Sequence, residues 1–345
     1  MAFPAISVAV AIGCGGGGTT VSAQTGSYLG TQTPGDVWTY SLQPGAFTAT
    51  DETTGTSYTG TCAVEASGFL QLTVTQTNDP SVQAGDSAYA IEIPGTALII
   101  DPAGTSGSPV IACKVGVAAA NGATLSYNWV RVPPAGWTTA DPAYGTITFH
   151  VDGDSYDGDI SNYLVNGTAD GEDAKTFTYS NGSFSVASGG KTENGALTPS
   201  GTFVIDEGAG QGGIVGIQQP RSSVDLTDLC STSRHFSGIL MNKFGGGDSG
   251  GKTECIWAVG LGGTSVQGGG YADIVSGTHE AGESGVVVDL NSQPTPGLVQ
   301  ATITTNGPGN PSYQMVVAVS KVNGKYVLYA FGSDNSGYNV VLIEQ

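Results

Sequence analysis

Hydrophobic and polar residues alternate along much of this chain with a period of two. Val37-Trp38-Thr39-Tyr40-Ser41-Leu42 alternates, Pro44-Gly45 signals a turn, and Ala46-Phe47-Thr48-Ala49-Thr50 alternates again. Gly68-Phe69-Leu70-Gln71-Leu72-Thr73-Val74-Thr75 repeats the pattern, and Tyr89 to Ile93 and Ala97 to Ile100 flank a further turn signal at Pro94-Gly95. Successive side chains of an extended strand point to opposite faces, so this period marks half-buried strands. No stretch longer than about ten residues sustains the 3.6-residue period of an amphipathic helix.

Two hairpins are specified more closely. Asn181-Gly182 sits between Thr178–Ser180 and Ser183–Ser185. A two-residue turn there places Tyr179 opposite Phe184 and Phe177 opposite Val186, an aromatic face turned to the core. Asn323-Gly324 likewise joins Met315–Val322 to Lys325–Phe331 and pairs Val319 with Leu328. Hairpin-length connections cannot join parallel strands. The expected fold is therefore all-β, with many short antiparallel strands in meanders: a propeller-like array, a large sandwich or paired barrels.

Part of the opening pattern recurs later. Phe177-Thr178-Tyr179-Ser180 parallels Trp38-Thr39-Tyr40-Ser41, Ser183-Phe184-Ser185-Val186 parallels Ala46-Phe47-Thr48-Ala49, and Pro199-Ser200-Gly201-Thr202 parallels Tyr58-Thr59-Gly60-Thr61. Gly/Thr/Ser-rich strands also resemble one another by composition alone. The parallels suggest an internal duplication, with an N-terminal β half over 36–165 and a C-terminal β half over 166–345.

Composition supports this picture and narrows the partners. Glycine is abundant (55 residues), charged residues make up only 11%, and the hydrophobic fraction is 39%, which favours packed strands over disorder. The net charge is −19 with only ten Lys and Arg. Phosphate-binding surfaces need clustered cations, so nucleic-acid binding is disfavoured. Such a body would also be repelled by an anionic membrane surface, and any attachment must come through a lipid.

The N-terminal stretch supplies one. Residues 1–13 hold an apolar run from Ala5 to Ile12, too short to span a bilayer and of the length of a signal-peptide core. Ala11-Ile12-Gly13-Cys14 then leads into Gly15 to Gly18. Over residues 1–18 the chain resembles bacterial envelope lipoproteins. The resemblance implies that 1–13 is removed, that Cys14 becomes the first mature residue and carries acyl chains, and that Gly15 directs sorting to the outer membrane. Residues 14–35 then read as a flexible Gly/Thr/Ser tether, reaching on the order of 25 Å as a Gly-rich coil.

With Cys14 acylated, an even set of cysteines remains: Cys62, Cys113, Cys230 and Cys255. They form no Cys-x-x-Cys pair, which disfavours zinc. An exported chain would form two disulfides from them. Of three connectivities, Cys62–Cys113 with Cys230–Cys255 is favoured because each bridge stays within one half.

Three sequence features could carry chemistry. Gly247-Asp248-Ser249-Gly250-Gly251 reproduces the nucleophile signature of trypsin-like serine proteases, with Ser249 as the attacking group. Lys252 replaces the family's Pro, and neither His150 nor His235 has the family's flanking residues, so a glycine-rich loop is the preferred reading. Asp152, Asp154, Asp157 and Asp159 form the densest acidic cluster. Interspersed glycines would allow them to wrap Ca2+, which takes six to eight oxygens, although the helix-loop-helix spacing is not met; a solvated turn is the alternative. Trp129 and Trp137, flanking Pro133-Pro134, either cap the core or, if exposed beside carboxylates, stack on sugar rings. The three histidines are dispersed without metal-ligand spacing.

The expectation is a non-enzymatic binding or structural module on an envelope lipoprotein, attached to the membrane by its N-terminal lipid, with a glycan or protein as ligand. A carbohydrate-binding or glycan-hydrolysing β-protein is the alternative, and a serine hydrolase at Ser249 a weaker one.

Overall fold

The computed structural model describes residues 25–32, 36–93, 95–101, 110–116, 118–133, 137–188, 191–207, 212–242, 254–279, 286–305, 312–333 and 338–345. It is all-β and antiparallel, built as three closed barrels in chain order. The first barrel contains β1 (Gly26–Gln32), β2 (Asp36–Gln43), β3 (Ala46–Asp51), β4 (Ser57–Val64), β5 (Leu70–Thr77), β6 (Ser87–Ile93), β7 (Ala97–Asp101) and β8 (Val110–Lys114). The second contains β9 (Thr124–Val132), β10 (Tyr144–Asp152), β11 (Ser155–Tyr163), β12 (Ala169–Ser180), β13 (Ser183–Ser188), β14 (Lys191–Leu197), β15 (Thr202–Asp206) and β16 (Gly213–Gln218). A four-residue helix, α1 (Leu226–Leu229), follows, N-capped by Asp225. The third contains β17 (His235–Asn242), β18 (Glu254–Gly262), β19 (Ser265–Asp273), β21 (Val286–Thr295), β22 (Leu298–Thr305), β23 (Ser312–Val322), β24 (Lys325–Gly332) and β25 (Tyr338–Glu344), with the short β20 (Thr278–His279) attached to β19.

Each barrel is an up-and-down meander of eight strands whose last strand pairs with its first: β8 with β1, β16 with β9, β25 with β17. Both Asn-Gly hairpins form in the expected register, Tyr179 opposite Phe184 and Val319 opposite Leu328. Asn181 and Asn323 take positive φ (49° and 50°), as do the glycines after them. That is the conformation a type I′ turn requires, and it suits the twist of the flanking strands.

The barrels are filled, not hollow. Tyr28, Trp38, Tyr40, Phe47 and Leu72 fill the first. Tyr127, Trp129, Phe149, Tyr156, Phe177 and Phe203 fill the second, with aromatic rings edge-to-face. Gly216 lies under the Phe203 ring, where a Cβ would overlap its edge. Leu229, Phe236, Leu290, Val319 and Leu328 fill the third.

A fourth core lies between the barrels and draws on all three, including Ile99 and Ile111, Val130 and Val215, and Tyr329, Phe331 and Val341. The contacts follow a cyclic rule. The seam strands β1 and β8 lie on β14 and β15; β9 and β16 lie on β23 and β24; β17 and β25 lie on β6. Each barrel thus sets its first and last strands against the sixth, or sixth and seventh, strands of the next. This is a head-to-tail interface that closes into a ring of three. Hydrogen bonds, buried or partly buried, also join the barrels: Asn339 Nδ2 donates to Arg131 O (2.8 Å), Asn128 Nδ2 donates to Pro296 O (2.8 Å), and Thr202 Oγ1 lies 3.1 Å from Tyr329 Oη.

This arrangement explains two kinds of strand. Walls facing solvent alternate, as in β3 and β5. Walls pressed between barrels are buried on both faces and read as continuous apolar runs, as in Ala97-Leu98-Ile99-Ile100 and Phe203-Val204-Ile205.

Three expectations about organisation change. The unit is a barrel repeated three times, and a division at 165/166 would cut the second barrel between β11 and β12. The matched segments are not equivalent, since Trp38–Ser41 lies on the second strand of its barrel and Phe177–Ser180 on the fourth. Order also begins earlier than Asp36. The glycine-rich stretch read as tether contains β1, whose Tyr28 fills the first barrel while Leu29 packs on the shared core.

Candidate functional site

Among the described residues, a concave site opens at one end of the second barrel. Inward positions on its strands change from apolar to charged at a common level. On β12 the sequence Asp173, Lys175, Phe177, Tyr179 runs from exposed through half-buried to buried. On β9 Trp129 is followed two residues later by Arg131, and Glu207 stands two residues past Ile205 of β15. The cavity, about 150 Å³, has an apolar floor of Trp129, Phe177, Ile160, Ile205 and Ile214 and a polar rim of Arg131, Asn162, Asp173, Lys175, Glu193 and Glu207.

Two ion pairs brace the rim. Arg131 meets Glu207 in a fork, with Nη1 3.2 Å from Oε1 and Nη2 2.6 Å from Oε2. Lys175 Nζ lies 2.9 Å from each oxygen of Glu193. Burial pushes the Glu207 carboxyl above its ordinary range, and Arg131 opposes that shift by favouring the charged form. Asp173 has no ion-pair partner among the described residues, and its Oδ1 accepts the Ala174 N–H (2.9 Å).

The structure places the other candidates as follows. Cys14 and Ser249 lie outside the described residues. Asp152, Asp154, Asp157 and Asp159 occupy the exposed side of the β10–β11 hairpin, whose turn is Gly153-Asp154. Gly153 takes φ +58°, which a tight turn needs at its first central position. Thr176 Oγ1 donates to Asp157 (2.7 Å), and Asp159 lies 3.3 Å from His150 Nε2. A two-residue turn leaves these carboxylates spread along an outer wall instead of wrapped around a point. Among the described residues no group of three or more His, Cys, Asp or Glu side chains converges as a metal site. The geometry is that of the solvated turn and not of a loop wrapped around calcium.

The expected disulfides are absent: Cys62, Cys113, Cys230 and Cys255 are all free thiols. Placement on either side of the barrel walls explains why. Cys62 points into the first barrel, whereas Cys113 points out of it, its Sγ donating to Ala196 O of the second (3.4 Å). Cys230 belongs to the interior of the third barrel, whereas Cys255 packs on the shared core. A barrel wall separates each favoured pair. Burial pushes the Cys62 and Cys230 thiols up to about 11, and raises Cys113 and Cys255 as well. Native protein should therefore react slowly with a thiol reagent. In denaturant without reductant, all four thiols should titrate, and a deficit of two or four would restore the disulfide expectation.

The tryptophans offer no open ring face for a sugar, since Trp38, Trp129, Trp137 and Trp257 are all buried. Trp137 packs edge-to-face on Phe331, with ring centroids 4.7 Å apart. His279 stacks on Trp257. Comparisons of the chain with protein-family models, with curated proteins and with solved structures return no match.

Proposed function

We propose that this chain is a lipid-anchored envelope protein whose body acts as a non-enzymatic binding or structural module. The observation that carries the second half is the filling of all three barrels by their own side chains. Among the described residues such a body presents surfaces and shallow sites around filled interiors. The anchor rests on the residues around Cys14: a short apolar run, a small residue, a cysteine and a glycine run. Lipid attachment also fits a net charge of −19, which gives the body no electrostatic hold on an anionic bilayer.

Each half has its own test. With the native chain expressed in a bacterial host, labelled palmitate should enter the protein, and Cys14→Ser should abolish the label and move the protein into the aqueous phase. A mature protein carrying an unmodified Cys14 thiol defeats the anchor. A fluorophosphonate probe should leave the protein unlabelled. Labelling that disappears in Ser249→Ala defeats the non-enzymatic reading.

A further inference from the structure

The ring of three barrels is tied by the chain at only two of its junctions. Residues 115–123 join the first barrel to the second, and residues 219–234 join the second to the third. The third barrel meets the first without a connecting segment, and there β17 and β25 rest chiefly on β6. This untied junction carries an arm. The third and fourth strands are joined by residues 52–56 in the first barrel and by 164–168 in the second, whereas the third barrel inserts β20 at that point. β20 folds back on the end of β19, with Tyr271 opposite His279.

The arm touches both barrels. Its turn lies on the first: the Ala66 N–H donates to Val275 O (3.3 Å), and a Cβ at Gly277 would come within 3.3 Å of Ser67 N. Ile274 packs on the shared core. Tyr271 sets its ring at right angles to Phe69 of the first barrel, with centroids 5.9 Å apart. Its hydroxyl lies 2.9 Å from Ser237 Oγ, which donates to Ser67 O. The other end is held by the third barrel. The His279 ring stacks on Trp257 of β18, with centroids 4.2 Å apart, and Trp257 Nε1 donates to Gly270 O (2.8 Å).

We propose that this arm is a clasp that keeps the ring closed within one chain, and that with the clasp undone the third barrel of one copy docks on the first barrel of another. A head-to-tail interface presents the same two complementary faces on every copy, so opening at the untied junction turns a closed ring into the unit of a larger assembly. Each barrel interior is filled by its own residues, so the barrels persist when the junction opens. Opening uncovers Phe69, Ile91 and Ile93 on the first barrel and Ile239 and Ile343 on the third. A second copy of this chain buries them again by the same contacts. The partner is therefore the chain itself, and this goes beyond the proposed function.

The test uses the full chain carrying Cys14→Ser, so that no lipid drives association, with mass measured by light scattering after size-exclusion chromatography over a range of concentrations. Without further change the chain should stay a monomer. Gly277→Val forces a β-branched residue into φ +70° and against Ser67, and His279→Ala removes the stack on Trp257. Together they should raise the average mass toward about twofold, or to higher whole multiples, as concentration rises, with the far-ultraviolet circular dichroism unchanged. Val275→Ala should remain monomeric, because Val275 holds Ala66 through its backbone carbonyl. In the double variant, a disulfide between Ala66→Cys and Val275→Cys should restore the monomer, and a reductant should release it. A double variant that stays monomeric, oligomers that survive the disulfide, or amorphous aggregation without whole multiples overturns the inference. Palmitate incorporation and fluorophosphonate labelling are unaffected by these results, so failure here is separable from failure of the proposed function.

Discussion

Phe331→Ala should cost on the order of 3–5 kcal/mol, the usual range for truncating a fully buried aromatic, and all three barrels should melt together. Phe331 lies on β24 of the third barrel, is 0% exposed, and points outward into the shared core. Its ring meets Trp137, which belongs to the β9–β10 connection of the second barrel. That core also takes Ile91, Ile93, Ile99 and Ile111 from the first barrel. Each barrel interior is complete on its own, so the chain could in principle unfold in three steps. The shared core argues against it. Separating one barrel would expose its doubly buried strands, such as β7 and β15, whose residues are buried throughout. At roughly 25 cal/mol per Å² of apolar surface, exposing several such strands outweighs the stability of a single small barrel. Urea unfolding followed by tryptophan fluorescence and by far-ultraviolet circular dichroism should therefore give coincident curves for wild type and variant. Val275→Ala, at a side chain 47% exposed, should stay within about 0.5 kcal/mol of wild type. Two resolved transitions in the wild-type protein would refute the common core as the source of cooperativity.

The same division of surfaces explains what could be read from the amino-acid order. Strands with one wet face announced themselves by alternation, and the two Asn-Gly hairpins came with their registers because the turn type sets the pairing. The number of barrels was not legible. Strands at the contacts between barrels carry apolar residues on both faces, as in Ala97–Asp101 and Thr202–Asp206, and lose the period that would show which face is inside. β1 escaped notice because Gly26 and Gly30 dilute its pattern, although Gly30 is there to let β8 approach, its missing Cβ leaving room for Ala112. The disulfide expectation failed on parity. Cys62 and Cys113 sit at positions whose side chains leave opposite faces of the same wall, and that is visible only once neighbouring residues are assigned to inside or outside. The acidic octapeptide at Asp152 is conspicuous by density, whereas the charged mouth is assembled from one or two residues on each of four strands or just beyond them. Its signal was present but faint: on Asp173-x-Lys175-x-Phe177-x-Tyr179, charge and aromatic rings share one parity, so a charged residue points the way the core points.

That shared parity has an energetic consequence at Arg131. Replacing it by Met keeps most of the side chain's bulk and removes the only cation that forks onto Glu207 among the described residues. The carboxylate is then left desolvated beside Glu193, and the loss should be on the order of 3 kcal/mol at neutral pH, the low end for breaking a buried pair because the rim is partly wet. The pH dependence tells this apart from lost packing. Burial already raises the folded-state pKa of Glu207 above its ordinary value of 4.5, and Arg131 limits that rise. In Arg131→Met the folded pKa climbs further while the unfolded value stays. A group whose folded pKa is raised contributes stability below its unfolded pKa and loses it as pH rises through the folded pKa. The variant should therefore approach wild-type stability in mild acid, where Glu207 is protonated in both states, and fall progressively behind as pH rises from near 4.5 toward neutral. Adding Glu207→Gln should recover most of the deficit and flatten the profile, because an amide in that position has no charge to bury. A deficit that is the same at all pH values would mean that Arg131 acts through packing alone and that the rim of the second barrel is not electrostatically tuned.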